Sequence, residues 1–412
     1  MATLHPTRRI QVIAPKFAEK FECIGSHCED TCCAGWRVDI DKKTFKAYRQ
    51  STNPKLAVRF EKHVKRTRSQ ASEVNYARIE LHPDTALCPM IDEHLCSIQK
   101  ELGEDKLSNT CFTYPRTSSE MGGVYQQTLT LSCPEAARLA LMEQDAMEFI
   151  EAGVTVRPEM LEKHLPAQGL SVSQMNDIRF FCINLIKYPG LELWQRLAFL
   201  GLFCESLTSA LKTGGQSQVT EIMATTQGLL SNDQTAAFFE NMQPQYEIQA
   251  VTFTMLWNSQ NSKRHSDYQY AVHKAVRDGF GVDNDTRQVT EALLTERYVK
   301  GLKNLPKALK SAPWLLENYV VNEIWKEFFP FCGTDPFEHY LRLVIRFGLV
   351  RFMLAVQCSQ EDDLPELSFM VQTVQTFCRI YQHDTTFAQK VNQCFENAGW
   401  TELSKIYRLL KA

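Results

Sequence analysis

Of the fourteen cysteines in this 412-residue chain, eight lie before residue 134 and six are scattered over the much longer remainder. Cys23, Cys28, Cys32 and Cys33 fall within eleven residues, followed by Cys88 and Cys96, then Cys111 and Cys133. Thiolates that surround one metal centre must converge to bonding distance, about 2.3 Å for zinc. A chain meets that demand with ligands from one short loop and a second set from elsewhere, so all eight cysteines are candidate metal ligands.

Three chemistries compete for them. A disulfide framework suits a small secreted domain, whereas this chain is large and its opening stretch MATLHPTRRIQVIAPKFAEKF has no apolar run of signal-peptide length. A cytoplasmic protein with reduced thiols is therefore expected. A structural zinc site usually presents paired C-x2-C hooks, but the close intervals here are x4, x3, x0 and x7. Zinc stays as the alternative. An iron-sulfur cluster tolerates irregular spacing and leads the three. Cys28 and Cys32 would share a face of a helical turn, while the adjacent Cys32 and Cys33 would point apart. His27, Asp30 and His94 lie close enough in sequence to support a metal, although solvated loop positions are expected for them.

Other catalytic signatures are absent. No G-x-G-x-x-G, no G-x-x-x-x-G-K-[ST] and no H-E-x-x-H occurs, so nucleotide-binding and metalloprotease sites of those kinds are excluded. With a net charge of -3 and a pI near 6.4, the chain has no basic excess for phosphates, and nucleic acid is not expected as a main partner.

The elements that must position the cysteines divide the chain in two. The fold class expected is mainly α: an irregular, cysteine-rich metal-binding region with short strands over residues 1–140, then an all-helical region over 141–412. Trp36 to Ile40 and Tyr125 to Leu131 alternate apolar and polar residues as strands do, and Gly122 and Gly123 supply a turn before the second. From about residue 135 onward the pattern turns helical. Phe337 to Val356 has one continuous apolar face, with Asp335 as N-cap, Pro336 in the first turn and Glu338 at capping-box spacing. Arg342, Arg346 and Arg351 interrupt that stretch, each costing about 2.5 to 3.5 kcal/mol near a bilayer centre, so no membrane span is expected. A second helix is predicted from Ser171, with Gln174 as its box partner, ending before Pro189. Thr213 to Gln218 and Asn258 to Asp267 read as loops. Cys182, Cys204, Cys332, Cys358, Cys378 and Cys394 sit singly among apolar neighbours and are expected in the core.

The wording of the cysteine segments carries a resemblance. FECIGSHCEDTCCAGW (Phe21 to Trp36), CPMIDEHLCSIQKELGEDKLSNTCFTYPR (Cys88 to Arg116), LSCPEAARLAL around Cys133 and ENYVVNEIWKEFFPF (Glu317 to Phe331) closely resemble the flagellin lysine-N-methylase family. The N-terminal segments also resemble the broader zinc- or iron-chelating domains with a CC doublet. The first resemblance implies methyl transfer from S-adenosylmethionine to lysine side chains of flagellin, the protein partner, with a [4Fe-4S] cluster participating. It departs from the radical signature C-x3-C-x2-C, because Cys28 and Cys32 supply the first interval but position 35 is Gly.

On that resemblance Arg116 pairs with the carboxylate of S-adenosylmethionine, and Trp36 and Tyr114 line the methyl or lysine channel, where aromatic faces attract sulfonium and ammonium groups. Plain structural roles compete for all three. Asp30, Asp92 and Glu93 are the carboxylates near enough in sequence to take the acceptor lysine's proton. The rival readings are a zinc-stapled binding protein without catalytic activity and an iron-sulfur electron carrier. The helical region is far larger than a carrier needs.

Overall fold

The computed structural model describes residues 4–166, 169–230, 232, 239, 241–259, 266–281, 289–332, 335–382 and 402–412. The fold is mainly α, as the sequence leads one to expect. It comprises two compact units. The first collects the residues up to Ala136, Phe149–His164 and a short piece ending at Tyr268, and the second takes the rest.

The first unit holds more sheet than its composition suggests. Strands Arg8–Pro15 and Phe149–Val156 pair antiparallel along their whole length, with Arg8 opposite Val156 and Pro15 opposite Phe149. Ile10, Val12 and Ala14 pack with Ala152 and Val156. The stretch IQVIA is thus a core strand, and Phe149–Val156 lies inside the stretch read as helical. Its Ile150, Val154 and Val156 recur at even spacing, and full pairing with a partner distant in sequence outweighs the helical context on either side. Arg8–Pro15 also runs parallel to Val124–Leu129, which forms a hairpin with Arg116–Met121. Gly122 and Gly123 have φ of +59° and +85°, which a two-residue hairpin turn requires. Glu162–Lys163 completes the five-stranded sheet at the outer side of Arg116–Met121.

A second, three-stranded sheet in the same unit joins Val38–Ile40, Ala77–Ile79 and Val64–Arg66. Helices Lys42–Arg49 and Pro54–His63 cover it, each started by a side-chain cap, Asp41 and Asn53. Tyr48 and Phe60 stack at 4.1 Å in the core between them.

The second unit is built on helix Pro336–Gln357. Its N-cap is as written in the sequence: Asp335 accepts from the Glu338 amide at 2.9 Å. The expected single apolar face is surpassed, because from Leu343 to Gln357 every residue except Arg346 is buried. Helices Leu193–Lys212, Tyr246–Asn258, Glu291–Ala308 and Leu315–Lys326 pack on it from several sides. Gly301 permits one such approach, since a Cβ there would lie 1.8 Å from the carbonyl oxygen of Ala355. The interrupting arginines are accommodated individually. Arg351 donates to the carbonyls of Leu409, at 2.8 Å, and Leu410, at the end of helix Leu403–Leu410. Arg346 lies 3.6 Å from both Glu323 and Glu327.

The capping box at Ser171 and Gln174 is complete and opens helix Val172–Ile186. Cys182, Cys204, Cys358 and Cys378 are buried, as expected, whereas Cys332 is exposed because it sits in a turn past the end of helix Leu315–Lys326. Cys394 lies outside the described residues. The predicted loop at Thr213 to Gln218 follows the end of Leu193–Lys212 and contains one 3-10 turn, Gln216–Gln218. Of Asn258 to Asp267, residues 260–265 lie outside the described residues; the flanking helices end at Asn258 and begin at Asp267. Among the described residues no helix is long and apolar enough to cross a membrane.

His339 on the central helix gives the second unit a testable pH response. Its ring packs 4.9 Å from Phe329, and its Nδ1 is buried without a hydrogen-bond partner. Burial, then Arg342 and Arg346, push its pKa down to about 3 against the opposing pull of Glu327. Glu327 is itself held at about 2, because Lys326, Arg346 and His339 outweigh the cost of burying it. Between the ordinary histidine pKa near 6.5 and the depressed folded value, the unfolded chain binds the extra proton, so stability falls as pH falls through that window. Urea unfolding at pH 7 and pH 4 should show the wild type losing on the order of 3 kcal/mol more than His339→Gln. Equal losses would contradict a neutral, buried imidazole.

Candidate metal centre and adjoining cleft

The first unit gathers cysteines by three local devices. Cys33 to Gly35 runs antiparallel to Ala86 to Cys88: the Cys88 amide donates to the Cys33 carbonyl at 2.8 Å, and the Gly35 amide to Ala86 at 2.9 Å. Gly35 turns the chain there with φ +72°. Next, Ile91–Asp92 and Leu95–Cys96 form a hairpin whose tip, Glu93 and His94, has φ of +48° and +65°. Left-handed backbone in two non-glycine residues costs about 1 kcal/mol each. The Ser97 hydroxyl fastens the base of this hairpin by donating to the Met90 carbonyl at 2.6 Å. Lastly, Ser108 caps helix Asn109–Thr113 by accepting from the Cys111 amide at 3.3 Å.

Cys33, Cys88, Cys96 and Cys111 consequently meet at the core of the three-stranded sheet, with Cys32 Sγ 3.9 Å from Cys33 Sγ. Their proton affinities reflect the crowding. The Cys33 thiol is raised strongly, first by its hydrogen bond with Cys32, then by burial and repulsion from Cys32, Cys96 and Cys111. Burial pushes Cys111 to about 12, reinforced by Cys96, Cys88 and Cys32. Cys88 rises to about 11 by burial, with Cys96 and Cys32 adding to it. Cys96 is raised by burial in the same way.

A second group adjoins the first. Burial lifts Cys133 to about 12, with contributions from Cys28 and Cys32, and Cys28 to about 11. The Cys28 thiol donates to the Asp30 carbonyl at 3.1 Å. Cys32 is common to both groups, whereas Cys23 is exposed and joins neither. Among the described residues no three Cys, His, Asp or Glu side chains stand in chelating geometry. The donor set is nonetheless soft sulfur held where thiolates repel one another, and a bound cation would relieve that repulsion by displacing protons. In donor type and grouping it fits a sulfur-liganded centre that would draw the thiols together.

Other candidates fall around this group. Trp36 and Tyr114 lie with ring centroids 5.1 Å apart, and the Trp36 indole donates to the Cys32 carbonyl at 2.6 Å. Asp30 is not the solvated residue expected: it is 5% exposed and accepts from the Ser266 hydroxyl at 3.1 Å. His27 and His94 are exposed, as expected. Asp92 lies 3.7 Å from Arg59, and Glu93 lies 3.6 Å from Lys100.

Arg116 lines a cleft of about 540 Å³ on the five-stranded sheet, whose lining includes neither Trp36 nor Tyr114. One short helix serves both places, since Asn109–Thr113 packs Cys111 with the thiols while Phe112 and Thr113 line the cleft. Sequence reasoning missed Arg157, which fixes that relation. Only 1% exposed, it donates to the Leu107 carbonyl at 3.0 Å and to Asn109 Oδ1 at 2.8 Å, and its guanidinium lies 4.0 Å from the Phe112 ring centroid. An arginine at a strand end carries no signal of such a role.

Residues 179–409 match the family model described as FliB lysine N-methylase C-terminal domain. The Lysine-N-methylase of Salmonella typhimurium is 24% identical over 412 residues, covering 98% of this chain and 100% of the relative, and the Lysine-N-methylase of Salmonella choleraesuis matches to the same extent. The Flagellar biosynthetic protein FliU of Salmonella muenchen is 32% identical over 158 residues, 38% of this chain and 92% of its own length. No solved structure matches the chain. These matches define a lysine methyltransferase. The chain belongs to the FliB lysine N-methylase family.

Burial orders the thiols by accessibility. Limited alkylation of metal-free protein, read by peptide mass spectrometry, should label Cys23, Cys32 and Cys332 first, and Cys88 and Cys133 only as the chain unfolds. Early labelling of Cys88 would contradict the packing described.

Proposed function

We propose that the chain transfers a methyl group from S-adenosylmethionine to the ε-amino group of flagellin lysines, with a [4Fe-4S] cluster held by four of the thiols of Cys32, Cys33, Cys88, Cys96 and Cys111. The observation that carries the reading is the convergence of these cysteines, from three separate segments, on one place at the edge of the core, with Cys88 buried and Cys32 exposed. The lysine N-methylase family match supports the reaction, and the flagellar name of the Salmonella muenchen relative supports the substrate. When bound, such a cluster supplies iron able to ligate or exchange an electron with the methyl donor. The setting is cytosolic, where thiols stay reduced.

The chain's own residues divide the remaining work. Trp36 and Tyr114, beside Cys32, offer aromatic faces to the ammonium group of the acceptor lysine before it gives up its proton. An acceptor lysine attacks only as the neutral amine, so a nearby group must take its proton. Asp92 and Glu93 face Arg59 and Lys100, whereas Asp30 is buried next to Cys28 with a hydroxyl donor, and it is the carboxylate assigned to that task.

Anaerobically prepared protein, incubated with methyl-labelled S-adenosylmethionine and flagellin, should place the label on flagellin lysines. Cys111→Ser should lower the rate by about tenfold to a hundredfold, the range seen when metal-site support is lost, and Cys23→Ser should leave it unchanged. Transfer by Cys111→Ser at the wild-type rate would refute the assigned thiol set.

A further inference from the structure

The cleft on the five-stranded sheet is lined by charges that have partners on the chain and, among the described residues, by one cation, Arg116, and two carboxylates, Glu19 and Glu104, whose side chains have none. His5 is engaged with Glu159 at 2.9 Å and Thr44 at 2.8 Å. Asp105 accepts from the Leu4 amide at 3.1 Å and from Lys106 at 3.0 Å. Arg157 is occupied by carbonyls and Asn109. Arg116 differs: among the described residues its guanidinium has no hydrogen-bond or carboxylate partner, and its neighbour is the Phe21 ring, 5.3 Å away. A guanidinium held over an aromatic face with its fork unused suits a planar anion, which it can bind through two parallel hydrogen bonds.

The surroundings narrow the ligand. About 540 Å³ is the size of a small-molecule site. Glu19 lines the same cleft as Arg116, so opposite charges are available to the two ends of an α-amino acid. Phe21 and Phe112 add aromatic surface for a flat base, while Gln127 donates to the Ser118 hydroxyl at 2.8 Å in the cleft wall. A ligand that joins an amino acid to a nucleoside uses the opposite charges and the aromatic surface together, whereas a simple anion would leave the aromatic surface unused.

We infer that this cleft is the methyl-donor site: Arg116 takes the carboxylate and Glu19 the ammonium of the amino-acid end of S-adenosylmethionine, and Phe21 and Phe112 take its adenine. The inference rests on the S-adenosylmethionine reading above and adds the place. Because Cys111 and the cleft residues Phe112 and Thr113 belong to one helical turn, ligand and thiols are separated by little more than that turn.

Calorimetric titration of the iron-loaded chain with S-adenosylhomocysteine tests it without relying on turnover. Arg116→Gln should weaken binding about tenfold or more, as expected for loss of a bidentate charge-assisted contact, with iron content and absorption spectrum unchanged. Ala18→Trp, which fills the cleft and removes no charge, should weaken it comparably. Adenosine, lacking the carboxylate, should bind Arg116→Gln and the wild type alike. Wild-type binding that neither substitution disturbs would overturn the cleft as the site and leave the S-adenosylmethionine reading standing. Failure of the wild type to bind either S-adenosylmethionine or S-adenosylhomocysteine would overturn both.

Discussion

Sulfur atoms that can ionise resist being buried together, because each thiolate loses hydration and repels the next. The first unit nevertheless folds Cys33, Cys88, Cys96 and Cys111 onto one small core beside Cys32. Without a cation the outcome is a set of thiols too basic to ionise near neutral pH. On the reading proposed above, a bound cation would displace the protons and relieve that repulsion, which would link metal binding to local folding. The left-handed backbone at Glu93 and His94 fits the same picture, since strain concentrates where a chain must present ligands from a tight turn.

That constraint shapes the rest of the unit. The three-stranded sheet and its two capped helices form the floor on which the thiols meet, and Tyr48 ties the floor to the cysteine segment by donating to the Lys106 carbonyl at 2.8 Å. On the other side, Arg157 ties residues 104–109 to the end of strand Phe149–Val156. Together these bonds hold helix Asn109–Thr113 so that one turn serves the thiols and the cleft. The second unit carries most of the family match and is held by a different logic, a central helix whose arginines are neutralised by carbonyls and by Glu323 and Glu327.

Features encoded locally were legible in the sequence. Asp335 with Glu338, Ser171 with Gln174, and Gly122 with Gly123 act through bonds or dihedral angles within a few residues, and each stands where its spacing implies. The density of cysteines before residue 134 foretold a thiol group, but its membership depends on long-range folding. Only pairing of Cys33 to Gly35 with Ala86 to Cys88 selects Cys88 as a neighbour of Cys33, and nothing in the spelling excludes Cys23. Strand Phe149–Val156 was missed because its partner lies at the start of the chain. Asp30 was misread as solvated because the hydroxyl that buries it belongs to Ser266, far away in sequence. Arg157 and the cleft are products of tertiary structure alone.

The central claim is that these thiols bind iron. X-ray absorption at the iron and zinc edges of the full chain, purified without oxygen, tests it most directly. The account predicts iron surrounded chiefly by sulfur, with that signal lost in Cys33→Ser/Cys111→Ser and retained in Cys23→Ser. An iron-free protein with zinc bound by the same sulfurs would contradict it and favour a zinc-stapled binding protein.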